Sequence, residues 1–203
     1  MKYLLIVILL FAPLTANIIE DIDKAYLQND YQKVNYLINN QCEKGDANAC
    51  YTMGRAYMQG KNNLNIDYNK MKKYFEKSCQ LGHAGACLGL GLMYMKGEFL
   101  NKDPKKAIPY FEEACSKSSP SGCTHLAIAY TQGDGVPIKP EKAYQFYNKS
   151  CIGGDVEGCY GLAICYYQGF GTFIDKRQAK VLFQKTCTNG YQQSCKILNA
   201  YFK

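Results

Sequence analysis

The sequence contains few of the residues that build metal-dependent active sites. It has only two histidines, His83 and His125, and no Cys-x-x-Cys pair. A catalytic zinc ion needs about three nitrogen or sulfur ligands and an open coordination position. Because His83 falls in a predicted turn and His125 follows a cysteine by two residues, we expect both to be structural or exposed. The sequence therefore predicts no metal site and no cofactor.

Clusters of basic residues are also missing. The formal net charge of +7 is spread along the chain, without a lysine or arginine run interleaved with aromatic residues. Such runs are typical of proteins that follow the backbone of nucleic acid, so we expect no nucleic-acid partner. Low-complexity and linker-like segments are not found either, and this favours a single folded domain over residues 17–203.

Long apolar segments occur only at the N-terminus. A run from Tyr3 to Ala12 follows Met1-Lys2 and precedes Pro13-Leu14-Thr15-Ala16. This order of a basic start, a short apolar run and a small residue is typical of a secretory signal peptide. We expect residues 1–16 to be removed, no membrane span to remain, and the mature chain to be a soluble monomer that is secreted or periplasmic.

Cysteine, in contrast, is abundant and evenly spaced. Ten of the 11 cysteines form pairs eight residues apart, and the first members of successive pairs are 37, 36, 36 and 36 residues apart. Two residues eight apart in one continuous helix are separated by about 12 Å, whereas a disulfide needs its Cα atoms within about 4.4–6.8 Å. If the pairs bridge, the chain must reverse between them.

Turn-forming residues stand inside every interval, three residues after the first cysteine or close to it. They are Gly45, Gly82, Gly154, Gly190 and Ser118-Ser119-Pro120, and such residues end helices and begin turns. An exported chain reaches an oxidising compartment, which favours disulfides over a metal site. The predicted disulfides are Cys42–Cys50, Cys79–Cys87, Cys115–Cys123, Cys151–Cys159 and Cys187–Cys195, with Cys165 left as a free thiol.

Each period contains two predicted helices. The first follows the second cysteine of a pair, with an apolar residue at +3, a small residue at +4 and tyrosine at +7, which lie on one helical face. The second begins near Asp67, Asp103, Pro140 or Asp175 and carries an apolar stripe that ends at the next cysteine. The fold class is all-α. We expect an N-terminal cap over about 17–43, repeats of about 36 residues from 44 to 190, and a C-terminal helix over 191–203.

These repeats resemble a known family. The pattern A-C-x-x-G-x-x-x-A-C-x-x-L-G-x-x-Y-x-x-G-x-G-V, followed by a basic helix that ends Y-F/Y-x-x-x-C, resembles Sel1-like repeats, which are related to tetratricopeptide repeats. With a cysteine pair in every unit, residues 30–203 resemble the Helicobacter cysteine-rich protein family. The resemblance implies an α/α superhelix (solenoid) of right-handed twist, export, and penicillin binding or weak β-lactamase activity.

The residues give that activity no catalytic group. A serine β-lactamase needs Ser-x-x-Lys together with SDN and KTG elements, and none of these occurs in the sequence. The remaining candidate nucleophile is Cys165, the unpaired cysteine. It aligns with Ala56, Met93 and Ala129 on the packed face of the first helices, so we expect it to be a small buried hydrophobic residue. The catalytic residue stays unknown.

Charge is segregated between the two kinds of helix. The first helices are nearly uncharged, whereas the second helices carry the lysines and acids. By analogy with tetratricopeptide repeats, the second stripe of each first helix lines a concave groove, although packing between repeats explains the same stripe equally well. Arg55 and Glu157 lie toward opposite ends of this strip, and Arg55 suits a carboxylate. The candidate ligand-binding residues are Tyr51, Arg55, Met58, Leu88, Leu92, Met95, Thr124, Ile128, Thr131, Tyr160, Ile164 and Tyr167.

Two functions from different classes remain open. The first is a binding module whose apolar groove takes a peptide, a peptidoglycan fragment, a β-lactam or a host protein. The second, which only the resemblance implies, is slow hydrolysis of the β-lactam ring of penicillin or cephalosporin derivatives. The missing motifs favour binding.

Overall fold

The structure is a computed structural model that describes residues 18–202, so the predicted signal peptide at 1–16 lies outside the described residues. Residues 18–27 form α1. Ten further helices follow: α2 (Tyr31–Glu43), α3 (Ala47–Gln59), α4 (Tyr68–Gln80), α5 (Ala84–Lys96), α6 (Pro104–Ser116), α7 (Pro120–Gln132), α8 (Pro140–Ile152), α9 (Val156–Gln168), α10 (Lys176–Thr188) and α11 (Gln192–Tyr201). No strand occurs among these residues, which confirms the all-α class.

The helix ends follow from local chemistry that repeats along the chain. First helices end at a left-handed glycine, such as Gly133 with φ 82°, because a residue without Cβ adopts that conformation at little cost. Second helices begin at an aspartate whose carboxylate accepts a backbone N–H, as Asp67 does from Lys70. The exception is α8, where Lys139 makes no such bond and Pro140 occupies the first turn. Helix α6 continues through Pro109.

The turns between stapled helices use the predicted residues. Gly45, Gly82, Gly154 and Gly190 all have positive φ, and Ser118 adopts φ 62° in the one copy without glycine. Cys42–Cys50, Cys115–Cys123, Cys151–Cys159 and Cys187–Cys195 are disulfides with Cα–Cα distances of 4.6, 4.6, 4.3 and 4.9 Å. Cys79 and Cys87 are disulfide-bonded as well. The fold is therefore one of disulfide-stapled helix pairs.

The described residues divide into two compact units, at 18–81 and 82–202. In the first, α3 packs against α2 and α4, and its core contains Ala25, Val34, Ile38 and Met53. In the second, each helix from α5 to α11 packs against its neighbours in sequence, and α7 also contacts α5 and α9. Its core is built around residues such as Phe111, Leu126 and Phe183.

A stacked aromatic pair recurs in three repeats. The +7 tyrosine of the first helix stacks on a ring of the second helix, with centroid distances of 5.6 Å for Tyr57–Tyr74, 5.8 Å for Tyr94–Tyr110 and 5.9 Å for Tyr130–Phe146. The fourth repeat has Leu182 at the second position, and its Tyr166 instead meets the edge of Tyr144 at 5.7 Å. The repeat plan thus tolerates local substitution.

Candidate ligand-binding cavity of the second unit

The second unit contains a cavity of about 410 Å³, which is lined mainly by α7, α8 and α9. Pockets that bind small ligands have volumes of about 300–1,000 Å³, so the cavity can hold a short peptide segment or a small molecule. The lining residues are Ile128, Thr131, Gln132, Tyr147, Glu157, Tyr160, Gly161, Ile164, Cys165, Gln168, Phe170 and Tyr191.

A buried polar network holds α7 and α9 at a fixed separation. The carboxylate of Asp155, the N-cap of α9, accepts from the Gly158 N–H at 2.8 Å, Ser121 Oγ at 2.7 Å and Thr124 Oγ1 at 2.9 Å. Thr124 Oγ1 also lies 2.5 Å from Ser150 Oγ of α8. Burial alone would raise the pKa of Asp155, but these hydrogen bonds stabilise the carboxylate and lower its pKa overall. Asp155 therefore links α9 to α7, and Thr124 links α7 to Ser150 of α8.

Tyr147 forms the buried side of the cavity. Its side chain is 8% exposed, and its ring lies so close to Gly161 that a Cβ there would overlap the ring. Thr131 Oγ1 lies 3.5 Å from Tyr147 Oη but donates to the Ala127 carbonyl at 2.8 Å. Burial raises the pKa of Tyr147, so its phenol is neutral and available as a donor toward the cavity.

Two further tyrosines and an acid form the exposed side. The rings of Tyr160 and Tyr191 lie 4.8 Å apart, and Glu157 stands in the first turn of α9. Burial, followed by the nearby charge of Glu157, raises the pKa of Tyr191. The Tyr191 hydroxyl therefore stays protonated beside a carboxylate.

Cys165 is the free cysteine, and it contributes to the same lining. It is 1% exposed, and burial raises its pKa to about 11. A thiol with that pKa is almost entirely protonated at neutral pH, and only the thiolate is a good nucleophile. In this environment Cys165 acts as a small packed side chain.

The lining as a whole favours a neutral or cationic ligand. Among the described residues, the only charged side chain of the lining is the carboxylate of Glu157. It is accompanied by hydroxyl and amide groups and by the apolar side chains of Ile128, Ile164 and Phe170. No lysine or arginine of residues 18–202 lines the cavity, so a ligand carboxylate would meet no counter-charge from this part of the chain. The arrangement suits an apolar body with hydrogen-bond donors or a basic group.

Four of the predicted groove residues meet at this cavity: Ile128, Thr131, Tyr160 and Ile164. Thr124 does not, because it is 1% exposed and belongs to the network around Asp155. Tyr167 does not line it either. Its ring contacts those of Phe183, Tyr201 and Phe202 beneath the C-terminal helix. The half-buried Leu88, Leu92 and Met95 pack against the core of the second unit.

The remaining predicted residues belong to the first unit. Arg55 is exposed, with its guanidinium carbon 5.8 Å from the centre of the Tyr51 ring. It lines a smaller cavity of about 200 Å³ together with Tyr26, Thr52, Ala56, Gln59, Lys61 and Asn62. Tyr51 stacks on Phe75 at 5.4 Å, and Met58 is half-buried.

Sequence reasoning missed the buried side of the cavity. Tyr147 occupies a repeat position that is phenylalanine at Phe75, Phe111 and Phe183, and a hydroxyl added to a core stripe is a signal that can be read from the sequence. Tyr191 stands at the N-cap of α11 and makes no side-chain capping bond, although aspartate or serine is preferred at that position. Gln132, Gln168 and Phe170 gave no comparable signal.

The family model for the Sel1 repeat matches residues 47–83, 84–119, 120–155 and 156–191. This chain belongs to the Sel1 repeat family. Repeats of this family mediate protein–protein interaction in general. No curated protein sequence matches the chain.

Solved structures with the same fold include three informative relatives. A protective antigen of uropathogenic Escherichia coli, c5321, has a TM-score of 0.75 and 25% identity over 81% of this chain, which spans 35% of that protein's length. A Sel1 repeat protein from Oxalobacter formigenes has a TM-score of 0.69 and 25% identity, covering 84% of this chain and 67% of its own. Helicobacter pylori cysteine-rich protein B has a TM-score of 0.52 and 33% identity, covering 66% of this chain and 96% of its own.

These findings confirm the Sel1-like resemblance and the similarity to a Helicobacter cysteine-rich protein. Together with the disulfides, they indicate an oxidising, extracytoplasmic environment. Within residues 18–202, no helix has both the length and the apolar character needed to span a membrane.

Proposed function

We propose that this chain is an interaction module whose second unit binds a short, neutral or cationic segment of a partner protein in the cavity around Tyr147. The repeat family supports a protein partner. The cavity volume and the absence of a basic side chain from the lining favour a segment with an apolar side chain and a basic group. Ile128 and Ile164 contact the apolar part, and Glu157 pairs with the basic group.

The single observation that carries this proposal is the Tyr147 hydroxyl. A core position that holds phenylalanine in the other repeats carries a phenol here, and that phenol lies on the cavity wall, where its protein partner, Thr131 Oγ1, is as far away as 3.5 Å. Packing alone gains little from a hydroxyl at this place, because its contact with Thr131 is long and burying a hydroxyl costs free energy unless it is well hydrogen-bonded. A ligand acceptor would complete its hydrogen bonding.

Hydrolysis of a β-lactam ring is the alternative, and the lining gives it less support. A penicillin carries a carboxylate, which would lie near Glu157 and away from any lining cation. A hydrolase of this kind also needs a nucleophile hydrogen-bonded to a base, and Cys165 and Tyr147 are both held protonated by burial. A peptidoglycan fragment carries acidic groups as well and meets the same difficulty.

We place this activity in the periplasm or outside the cell, after removal of residues 1–16. The oxidising compartment that the disulfides require supports this placement.

The test is a peptide selection on the immobilised, oxidised chain, followed by binding titrations of the enriched peptides. We expect peptides that combine an apolar residue with lysine or arginine, and weaker binding by Glu157→Gln and Tyr147→Phe. Glu141→Gln is the matched control, because Glu141 is also an exposed acid in the first turn of its helix but lies outside the lining. Unchanged binding by Glu157→Gln and Tyr147→Phe would overturn the proposal. Hydrolysis of penicillin by the chain, with covalent labelling of cavity residues by the penicillin, would also overturn it.

A further inference from the structure

The first unit carries a second cleft, which the proposed function does not use. Lys70, Lys73 and Lys77 of α4 are spaced at i, i+3 and i+7, so they lie along one face of the helix. This lysine cleft has a volume of about 260 Å³, and its lining residues are Glu43, Tyr57, Lys70, Lys73, Tyr74 and Lys77.

The lysine cleft carries an excess of positive charge. Lys77 Nζ lies 2.8 Å from Glu43 Oε2, and Lys70 Nζ lies 3.8 Å from Asp67 Oδ2. Lys73 is exposed and has no ion pair within 4.0 Å among residues 18–202. Three ammonium groups therefore line the cleft with a single carboxylate. Of the three, Lys73 is the one whose charge is not balanced by an ion pair with a carboxylate of the described residues.

One wall of the lysine cleft is preorganised. The rings of Tyr57 and Tyr74 stack at 5.6 Å with an angle of 14° between their planes, and Tyr74 Oη donates to Asn39 Oδ1 at 2.6 Å. Lys70 Nζ lies 5.0 Å from the centre of the Tyr57 ring, a favourable cation–π distance. The contact with the Tyr57 ring restricts the position of the Lys70 ammonium group, so this side chain loses less conformational entropy when an anion binds.

The repeat fold does not require this arrangement of lysines. Counting forward in steps of 36 residues, Lys73 is replaced by Pro109, Gln145 and Val181 in the later repeats, and Lys77 is replaced by Glu113 in the next one. No other second helix has lysine at all three positions. The lysine cleft is thus a local feature of the first repeat.

We propose that the lysine cleft is a docking site for an acidic peptide segment of a partner protein, in which carboxylates alternate with other residues. From Lys70 to Lys77, α4 rises about 10.5 Å, which is too long for one small oxyanion to contact both ends. An extended peptide returns side chains to the same side about every 6.8 Å, close to the rise of about 6 Å from Lys73 to Lys77, so acids at alternate positions can meet these two lysines. The lysine ammonium group is a compact point charge that donates hydrogen bonds to carboxylates from several directions.

The experiment uses the full oxidised chain and a fluorescein-labelled peptide of alternating Glu and Ser, with fluorescence anisotropy at low ionic strength. Lys73→Gln should weaken binding about threefold, within the range of an exposed ion pair. Replacing all three lysines by glutamine should weaken it at least about tenfold. Lys105→Gln, which removes an exposed lysine of α6 and changes the net charge equally, should leave binding unchanged.

Glu43→Gln separates docking from a merely structural role. This change removes the carboxylate that forms an ion pair with Lys77 and competes with the peptide for it. Binding of the acidic peptide should therefore become about twofold tighter. Equal binding by Lys73→Gln and Lys105→Gln would overturn the proposal, as would weaker binding by Glu43→Gln. Displacement of the peptide by an equal concentration of inorganic phosphate would also overturn it and assign the cleft to a small oxyanion. Variants at Tyr147 and Glu157 do not touch this cleft, so the two sites fail independently.

Discussion

The lysine cleft of the first unit and the cavity of the second are built on the same repeat plan but have opposite electrostatic character. In the first unit, lysines of a second helix surround a stacked tyrosine pair. In the second, tyrosines and a glutamate line a cavity to which the described residues contribute no basic side chain. The residues that pack the repeats recur along the chain, whereas those that set the chemistry of each site do not. The fold is therefore a shared frame that carries distinct surfaces.

The largest effect should come from a feature that the two units share. Each disulfide closes a loop of the same length, worth about 2.6 kcal/mol in the chain-entropy model. Replacing Cys42 and Cys50 by alanine, or Cys151 and Cys159 by alanine, should therefore lower the free energy of unfolding by similar amounts. Urea unfolding of the two variants beside the wild type measures this. A cost in one unit only would show that the staples are not equivalent.

The second effect concerns two glycines at the same repeat position, two residues after a cysteine. Gly161 lies under the Tyr147 ring, whereas a Cβ at Gly89 would meet no atom within 4 Å. Gly161→Ala should destabilise the protein by about 1–3 kcal/mol through overpacking. Gly89→Ala should stabilise it by about 0.5–1 kcal/mol, the helix propensity difference. Thermal unfolding of both variants provides the comparison, and equal signs would contradict the packing described for Tyr147.

A smaller effect is expected from Tyr147→Phe. This change restores the residue found at Phe75, Phe111 and Phe183 and removes a hydroxyl without a strong partner in the protein. The free energy of unfolding should change by less than about 1 kcal/mol, while binding of the selected peptides weakens. Calorimetric unfolding and a binding titration on the same sample measure the two quantities. A large loss of stability would make Tyr147 a packing residue only.

The smallest effect concerns Cys165. Its pKa of about 11 leaves roughly one thiol in a thousand ionised at pH 8, and the side chain is buried. Iodoacetamide should therefore leave Cys165 unmodified in the native protein and alkylate it once urea unfolds the chain. Mass spectrometry of the two samples detects the difference. Rapid alkylation of the native protein would contradict this prediction and show that Cys165 is a reactive thiol.

The fold could be predicted from the sequence because the evenly spaced cysteine pairs fix the register of every helix. The turn at Ser118, for example, was predicted from spacing and composition. Sequence reasoning reached only part of the candidate site. Thr124 and Ile128 lie on the predicted stripe of the same helix. Thr124 is nevertheless buried and donates a hydrogen bond to Asp155, whereas Ile128 lines the cavity. Which stripe residue is accessible depends on side chains of neighbouring helices, which periodicity does not specify.

The two-site account is tested most directly by chemical-shift mapping on the isotope-labelled, oxidised chain. The alternating Glu-Ser peptide should shift amide signals of α2 and α4, around Glu43 and Lys73. A selected peptide with an apolar residue and lysine should shift those of α7 and α9, around Ile128 and Glu157. The account predicts two separate sets of shifted signals, each unaffected by saturation with the other peptide. A single set that responds to both peptides would contradict it.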